Sequence, residues 1–288
     1  MQPALPIVSA TTRPSASEWK ARLVLRYERR DGRTVLAQRE HVGPLVVQRP
    51  FYPEGPEVCH TILVHPPAGI AGGDRLETKI EMGPGAHAVF TTPGATKWYR
   101  SDGRASNQDI ALTVAQDACL EWLPQETIVF SGAHARASLS VELGTGGLFL
   151  GWDVVCFGRS ASGEHFDRGL VRQLTRIGQG GHLLWTEHMR LEGGSRLLDS
   201  AAGLRGCPVN AVLLAAGRKP SADVVEACRK KDVESEAISG VTVLPSVLVV
   251  RYLGHSTEAA HAYLRGIWGL LRTTLVGREA CAPRIWST

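Results

Sequence analysis

Four acidic residues occupy positions where a carboxylate could do chemistry. Asp74 ends a loop just after two glycines, and Glu77 follows it by three residues. Asp153 and Glu187 each interrupt an otherwise largely apolar stretch, GWDVVCF and LLWTEH respectively. Burying a carboxylate is costly unless the group is paired, protonated, hydrated or bound to a metal ion. These positions therefore need a physical explanation.

Two explanations are open for these acids. The first is a salt bridge to an arginine, with Arg100, Arg159 and Arg190 as candidate partners. The second is a hydrated acidic passage inside the protein. Such a passage suits a hard or borderline divalent cation that exchanges carboxylate and water ligands.

Cysteine and histidine offer a weaker metal site. Cys59, His60 and His65 carry the ligand atoms that zinc, nickel or copper bind. Adjacent strand residues point to opposite faces, so only Cys59 and His65 can share one face, and ordinary packing is favoured. The six cysteines lie 21 to 60 residues apart without a CxxC pair. That dispersal is typical of reduced thiols rather than of a disulfide framework.

Nucleotide-binding and catalytic motifs are missing from the sequence. Residues 69–74 (GIAGGD) are rich in glycine, but no Gly-Lys-Ser/Thr follows them. Residues 144–149 (GTGGLF) place Phe149 where a dinucleotide fingerprint needs its third glycine. There is also no HExxH, no GxSxG and no kinase signature. We therefore predict no catalytic residues and no tightly bound cofactor.

Composition, net charge and the lengths of the apolar runs exclude further classes of protein. The chain has 288 residues, 43% of them hydrophobic, which is enough to build a sizeable core. A net charge of +4 with scattered arginines argues against nucleic acid as a partner. No apolar run approaches the roughly 18 residues of a membrane helix, and no signal peptide is readable. A cytoplasmic protein is the expectation.

Strands dominate the predicted elements. In residues 20–28, Ala21, Leu23, Leu25 and Tyr27 alternate with polar residues, as in a half-buried strand, and Arg30-Asp31-Gly32-Arg33 predicts a hairpin turn. Further strands are predicted at residues 45–48, 58–65, 76–82, 86–92, 110–114, 118–123, 127–130, 137–143, 148–157, 170–177, 183–191, 211–216 and 241–252.

An internal repeat is suggested by two of these regions. Residues 80–90 align with residues 112–122 at an offset of 32, and a looser third copy begins at Leu139. A strand–turn–strand unit at this period indicates stacked solenoid rungs. Two similar β-hairpins would give the same match, so both explanations stay open here.

Helix is scarce. Ser221 is a predicted N-cap for a helix over residues 221–230, and a second helix is predicted over residues 257–272. The apolar stripe of the second helix, formed by Ala260, Leu264, Ile267 and Leu271, either packs on a sheet or serves with the strand edges as a docking surface. We predict an all-β domain over residues 19–288 after a flexible tail of residues 1–18.

Seven segments in order resemble the urease accessory protein family UreD, called UreH in some organisms. They are residues 44–55 (PLVVQRPFYPEG), 65–74 (HPPAGIAGGD), 91–101 (TTPGATKWYRS), 120–126 (LEWLPQE), 151–153 (GWD), 156–159 (CFGR) and 283–286 (PRIW). The similarity extends from about residue 20 to the C-terminus. Ala68 and Phe157 depart from the commoner family residues, Gly and Leu.

The resemblance implies a scaffold rather than an enzyme. Its expected fold is a twisted, solenoid-like β-helix with two minor helices. Its expected partners are UreF, the GTPase UreG and apo-urease, in a hetero-oligomer that inserts nickel into the urease active site. The resemblance also implies an internal water-filled route for transient Ni²⁺, lined here by Asp74, Glu77, Asp153 and Glu187.

Two other functions remain as alternatives. One is a metal-dependent hydrolase that uses Asp74, Asp153 or Glu187 together with His60 or His65 around a divalent ion. Such an enzyme would need a closed site that retains its metal. The other is a β-solenoid binding module of unrelated function.

Overall fold

The computed structural model describes residues 19–287, and strands are its dominant element. In chain order the strands are β1 (Lys20–Arg30), β2 (Arg33–Val42), β3 (Val46–Val47), β4 (Val58–Val64), β5 (Gly69–Ile70), β6 (Arg75–Met82), β7 (His87–Thr91), β8 (Thr96–Trp98), β9 (Ser106–Val114), β10 (Cys119–Trp122), β11 (Thr127–Val129), β12 (Ala133–Leu143), β13 (Leu148–Phe157), β14 (Gly169–Gln179), β15 (His182–Glu192), β16 (Val209–Ala216), β17 (Ile238–Val243) and β18 (Val247–Gly254). The α-helices are α1 (Ala222–Arg229) and α2 (Thr257–Leu275), and short 3-10 helices cover Ser160–Ser162 and Arg284–Ser287. The predicted tail, residues 1–18, lies outside the described residues.

Two sheets face each other and the chain alternates between them. The first sheet has the order β15-β14-β12-β9-β6-β1-β2, and the second follows β17-β18-β16-β13-β10-β7-β4-β3 with β5, β8 and β11 alongside. The strands from β14 to β1, and those from β13 to β4, pair in parallel with their neighbours. The result is a β-solenoid of about four turns, which confirms the predicted all-β, solenoid-like fold.

The repeat predicted from the sequence is a stack of solenoid turns. Ile80 on β6 pairs with Leu112 on β9, and His87 on β7 pairs with Cys119 on β10, so both strand pairs keep the offset of 32. A third turn is present as well, but Val141 rather than Leu139 occupies the position equivalent to Leu112. The turns before β7, β10 and β13 all have four residues, but the connection from β10 to β12 is shorter than the one from β7 to β9. From Cys119 to Val141 the chain advances 22 residues, against 25 from His87 to Leu112, so the offset falls to 29 and the sequence match is weaker.

One buried ladder of apolar side chains runs through the turns. Leu25, Ile80, Leu112, Val141 and Ile177 are consecutive register partners on adjacent strands, and all are at most 3% exposed. Each strand thereby places the same inward position against its neighbours above and below. This ladder is part of the larger hydrophobic core between the sheets.

Local turn chemistry explains where the strand predictions hold and where they fail. The hairpin between β1 and β2 is confirmed, with Asp31 and Gly32 both at positive φ. The single strand predicted over residues 241–252 is wrong, because the chain turns around Pro245 and forms the antiparallel pair β17 and β18. Strand β2 was not predicted over its own length, since most of this edge strand is exposed and lacks alternation.

Both predicted helices are present, and they pack on the second sheet. Ser221 and Ser256 are the N-caps, and their side chains accept hydrogen bonds from the backbone N–H of Val224 and Ala259. The apolar stripe of α2 is fully buried against β13, β16 and β18. Its proposed role as a free docking surface is therefore wrong, whereas docking at the strand edges stays a prediction. No helix within residues 19–287 combines the length and apolarity needed to cross a membrane.

A buried ionic network fastens α2 to the solenoid. Glu121 on β10 is fully buried, and its carboxylate accepts hydrogen bonds from Trp268 Nε1 at 2.6 Å and Arg272 Nε at 3.1 Å. His87 Nε2 lies 2.7 Å from Glu121 Oε1. Arg272 continues the chain through Nη2, which lies 2.8 Å from Glu54 Oε1. We call this set, with His60 bound to Glu54, the Glu121 network.

Electrostatics keep the buried groups of this network charged. Burial opposes ionisation of Glu121, but His87, Arg272 and Trp268 outweigh it and lower the pKa of this carboxyl to about 2. Burial likewise disfavours a charged His87, but Cys119 and Glu121 raise the pKa of its imidazole to about 10. A buried ion pair that lost one partner would leave an uncompensated charge, so the network constrains α2 strongly.

The core ladder predicts a position-specific loss of stability. Leu112→Ala should lower the free energy of unfolding by about 2–5 kcal/mol, because it removes buried methyl groups from a packed column. Thr113→Ala, on the exposed face of the same strand, should change it by less than about 1 kcal/mol. Denaturant unfolding of the two variants measures both values, and equal losses would contradict the ladder.

The raised pKa of His87 predicts a pH dependence of stability. His87 has a pKa of about 10 in the folded protein, against an ordinary value of 6.5 for histidine. The contribution of the charged His87 to the free energy of unfolding is fully present below about pH 6.5. It is lost as the pH rises toward 10, with a slope of up to about 1.4 kcal/mol per pH unit. His87→Gln should flatten this decline in urea unfolding series, whereas His41→Gln, exposed on β2, should leave it unchanged. Parallel pH profiles for His87→Gln and the unsubstituted chain would refute this assignment.

Candidate functional site

A cavity of about 390 Å³ lies between the two sheets and follows the solenoid axis. One wall is formed by two rows of register partners from successive turns. The rows are Leu76, Gln108, Ala137 and Gln173, and beside them Thr78, Ile110, Leu139 and Thr175. The opposite wall comes from the segments that follow β7 and β10 and from β13. We call this space the axial cavity.

Asp153 is the one carboxylate among the residues that line the axial cavity in the described chain. It lies on β13, where its neighbour Val154 points to the other face and packs in the cluster beneath α2. Gln173 Nε2, across the cavity on β14, donates a hydrogen bond to Asp153 Oδ2. Burial raises the pKa of Asp153, the charge of Glu187 adds to the rise, and the Gln173 bond opposes it.

A small side chamber of about 30 Å³ adjoins the axial cavity and brings Glu187 into the site. Asp153, Val155, Gln173 and Thr175 line both spaces, and Glu187 lines the side chamber. This volume is enough for at least one water molecule, and the carboxylates and amides around it supply polar partners. The structure thus places two of the four predicted acids around one polar space.

Salt bridges explain only part of this arrangement. Glu187 Oε1 lies 2.5 Å from Arg251 Nη1 on β18, which is not one of the three arginines considered from the sequence. Within residues 19–287, Asp153 has no ion pair. The simple salt-bridge explanation therefore fails for Asp153 and holds for Glu187 with an unexpected partner.

The other two predicted acids do not line the axial cavity. Asp74 Oδ2 accepts a hydrogen bond of 2.8 Å from the backbone N–H of Ala71, which closes the loop before β6. Its negative charge acts on His65, a cavity-lining residue whose pKa is lowered by burial and partly restored by Asp74. Glu77 is exposed on β6, whereas Leu76 and Thr78 on either side of it face inward. The structure separates Glu77 from Asp153 and Glu187.

The glycine-rich segments are turns of the solenoid. Residues 144–147 connect β12 with β13, and Gly69 and Ile70 form β5 in the loop that leads to β6. Neither segment precedes a helix, in agreement with the prediction that they are not phosphate-binding loops.

Two side-chain groups outside the cavity carry metal-ligand atoms. His87, Cys119 and Glu121 form one group, and Glu54, His60 and Cys281 form the other, each with ligand atoms within 4.8 Å of one another. Cys59 is buried in the core between the sheets, while His60 turns to Glu54, which confirms that these neighbours face opposite ways. His65 belongs to neither group.

Sequence reasoning gave no role to Glu121, Gln173 or Arg251. Glu121 interrupts the apolar strand β10, so the rule that singled out Asp153 would also have found it. Gln173 and Arg251 gave no such signal, because an amide or an arginine on a strand is ordinary until its partner is known.

The C-terminal PRIW segment packs behind the cavity wall. Trp286 Nε1 donates a hydrogen bond of 2.8 Å to Thr91 Oγ1. Its ring lies 5.5 Å from that of Trp152, measured between centroids, and Trp152 lines the axial cavity. This end of the chain therefore supports the strand that carries Asp153.

Comparison with known proteins agrees with the resemblance. The model of the UreD urease accessory protein family matches residues 20–287. The urease accessory protein UreD of Azoarcus sp. (strain BH72) is 51% identical over 271 residues, which cover 94% of each chain. Those of Pseudomonas fluorescens (strain Pf0-1) and Dechloromonas aromatica (strain RCB) are 48% and 45% identical, with 99% of each chain covered. The chain therefore belongs to the UreD family of urease accessory proteins.

Proposed function

We propose that this protein is a scaffold for urease maturation that binds apo-urease. Together with UreF and the GTPase UreG, it enables nickel insertion into the urease active site. Its own contribution is a hydrated path for Ni²⁺ along the axial cavity. The observation that carries this proposal is that the cavity follows the stacked turns and meets the Asp153–Glu187 pair. Membership of an accessory-protein family, rather than of an enzyme family, supports the scaffold role.

The chemistry of the cavity suits an ion in transit. Most of its wall is neutral, and threonine, glutamine and serine side chains supply oxygen atoms for a hydrated ion. One or two carboxylates plus water bind Ni²⁺ more weakly than a closed cysteine and histidine cage would. The raised pKa of Asp153 and the pairing of Glu187 with Arg251 weaken binding further. The ion can therefore leave as well as enter.

The remaining acids have different places in this proposal. Asp74 lies near His65 and contributes negative charge at the opposite end of the cavity. Glu77 faces outward, so we assign it no contact with the ion. GTP hydrolysis comes from the partner UreG, since this sequence has no P-loop lysine.

The role in maturation is tested by complementation. A urease operon without its own UreD gene should make urease protein that is poor in nickel and nearly inactive. Supplying this chain should restore both nickel content and activity, as measured by metal analysis of purified urease and by urea hydrolysis. Full activity without it, in a host that has no second copy, would contradict the proposed function.

The ion path is tested by isosteric neutralisation of the acid pair. Asp153→Asn and Glu187→Gln should each lower urease activation several-fold, because they remove the charge that attracts Ni²⁺ while preserving shape. Glu77→Gln is the matched control, since it neutralises an exposed carboxylate on the same solenoid, and it should activate urease normally. Nickel content and activity of urease are measured in all three variants.

Co-purification distinguishes a role of the Asp153–Glu187 pair in nickel transport from a role in assembly of the complex. Asp153→Asn and Glu187→Gln should still pull down urease, UreF and UreG in normal amounts. If these variants lose their partners, the two acids are structural and the path loses its support. If they assemble and activate urease fully, nickel does not use this pair.

A further inference from the structure

A second place for a metal ion lies outside the axial cavity, where the chain end crosses the solenoid. Glu54 belongs to the loop before β4, His60 lies on β4, and Cys281 lies in the segment after α2. One ligand atom from each of these residues lies within 4.8 Å of the other two. None of the three lines the axial cavity or the side chamber.

Ligand atoms at this place remain available to an ion. His60 and Arg272 both bind the same oxygen of Glu54, Oε1, at 2.6 Å and 2.8 Å, which leaves Oε2 for a metal. The Nδ1 atom of His60 is buried and has no hydrogen-bond partner within the described chain. Nε2 rather than Nδ1 faces Glu54, so Nε2 is the ring nitrogen that can bind an ion at this place, in exchange for its hydrogen bond to Oε1.

The thiol completes the site and is reachable. Cys281 is only partly buried, whereas the other five cysteines are buried. Burial and the negative charge of Glu54 raise the pKa of the Cys281 thiol, while Arg272 opposes the rise. Because the thiolate is the form that binds a metal ion, binding at Cys281 displaces the thiol proton.

The other ligand group does not offer a comparable site. His87, Cys119 and Glu121 are all buried, and both oxygens of Glu121 already accept hydrogen bonds from Arg272. A metal ion there would have to displace the cation that holds α2 in place. At the first group Arg272 is a neighbour as well, but its charge is balanced by Glu121 at 3.1 Å.

We propose that Glu54, His60 and Cys281 bind a borderline divalent transition-metal ion of the Ni²⁺, Co²⁺ and Zn²⁺ class. Carboxylate, imidazole and thiolate together suit such ions better than Mg²⁺ or Ca²⁺. Binding releases one proton, from Cys281, for each ion bound. Three protein ligands leave further coordination positions to water, so the ion is exchangeable. The bound ion ties the C-terminal segment to β4.

Cobalt titration of the full chain tests this site directly. One equivalent of Co²⁺ should give a thiolate-to-cobalt charge-transfer band in the near ultraviolet, and Zn²⁺ should remove it by competition. Cys281→Ser should abolish the band. Cys156→Ser, which alters a buried cysteine on β13 outside the site, should retain it. Circular dichroism checks that both variants are folded.

A second variant tests the imidazole. His60→Gln should weaken Co²⁺ binding on the order of 10–100-fold while the Cys281 thiol remains. The proposal is overturned if the unsubstituted chain gives no cobalt–thiolate band at saturating Co²⁺, or if Cys281→Ser leaves the band undiminished. If a folded His60→Gln variant binds Co²⁺ with unchanged affinity, His60 is not a ligand and the proposed site is refuted. Urease activation is not a readout here, so failure of the nickel path would not affect the result.

Discussion

Parallel register between successive turns is the constraint on which this molecule depends. A shift of one residue would turn every side chain of a strand to the opposite face, so each turn must pair with its neighbours at one fixed register. The same inward positions then form columns along the solenoid axis. Where a column holds branched aliphatic residues, as at Ile80 and Leu112, it fills the core. Two and four residues earlier on the same face, the columns mix Leu76, Ile110 and Leu139 with threonine, glutamine and alanine, and the axial cavity lies against them.

Two carboxylates on adjacent strands, Glu121 fully buried and Asp153 half-buried, show how surroundings decide the role of a charge. Glu121 on β10 is held by Arg272, Trp268 and His87, and its pKa falls to about 2. It is a fixed structural anion. Asp153 on β13 has one amide partner, and burial raises its pKa. A carboxylate with so few fixed partners can exchange water, protons or a cation, which is the property that the proposed nickel path requires.

Most of the fold could be predicted from patterns among residues that are neighbours in sequence, whereas fewer of the contacts at the candidate site could. Alternation in residues 20–28, the Asp31-Gly32 turn and the offset of 32 all depend on neighbours in sequence, and all were predictable. The break at Pro245 shows the limit, because an apolar run conceals a reversal of the chain. Asp153 and Glu187 were identifiable as acids in apolar surroundings, and the alternation around Glu77 already indicated its outward direction. Arg251 and Gln173 act across strands far apart in sequence, and no local pattern encodes such contacts.

Because the turns are stacked at a fixed strand spacing, the number of turns sets the length of the solenoid interior. Neighbouring strands lie about 4.8 Å apart, so the three steps from β4 to β13 span about 14 Å along the axis of the cavity. The depth of that space is counted in whole turns, while its width is set by strand length and side-chain size. A gain or loss of one turn would lengthen or shorten the interior by a single strand spacing and leave its cross-section alone. In this architecture the depth of the axial cavity and its selectivity for what enters it can therefore change independently of each other.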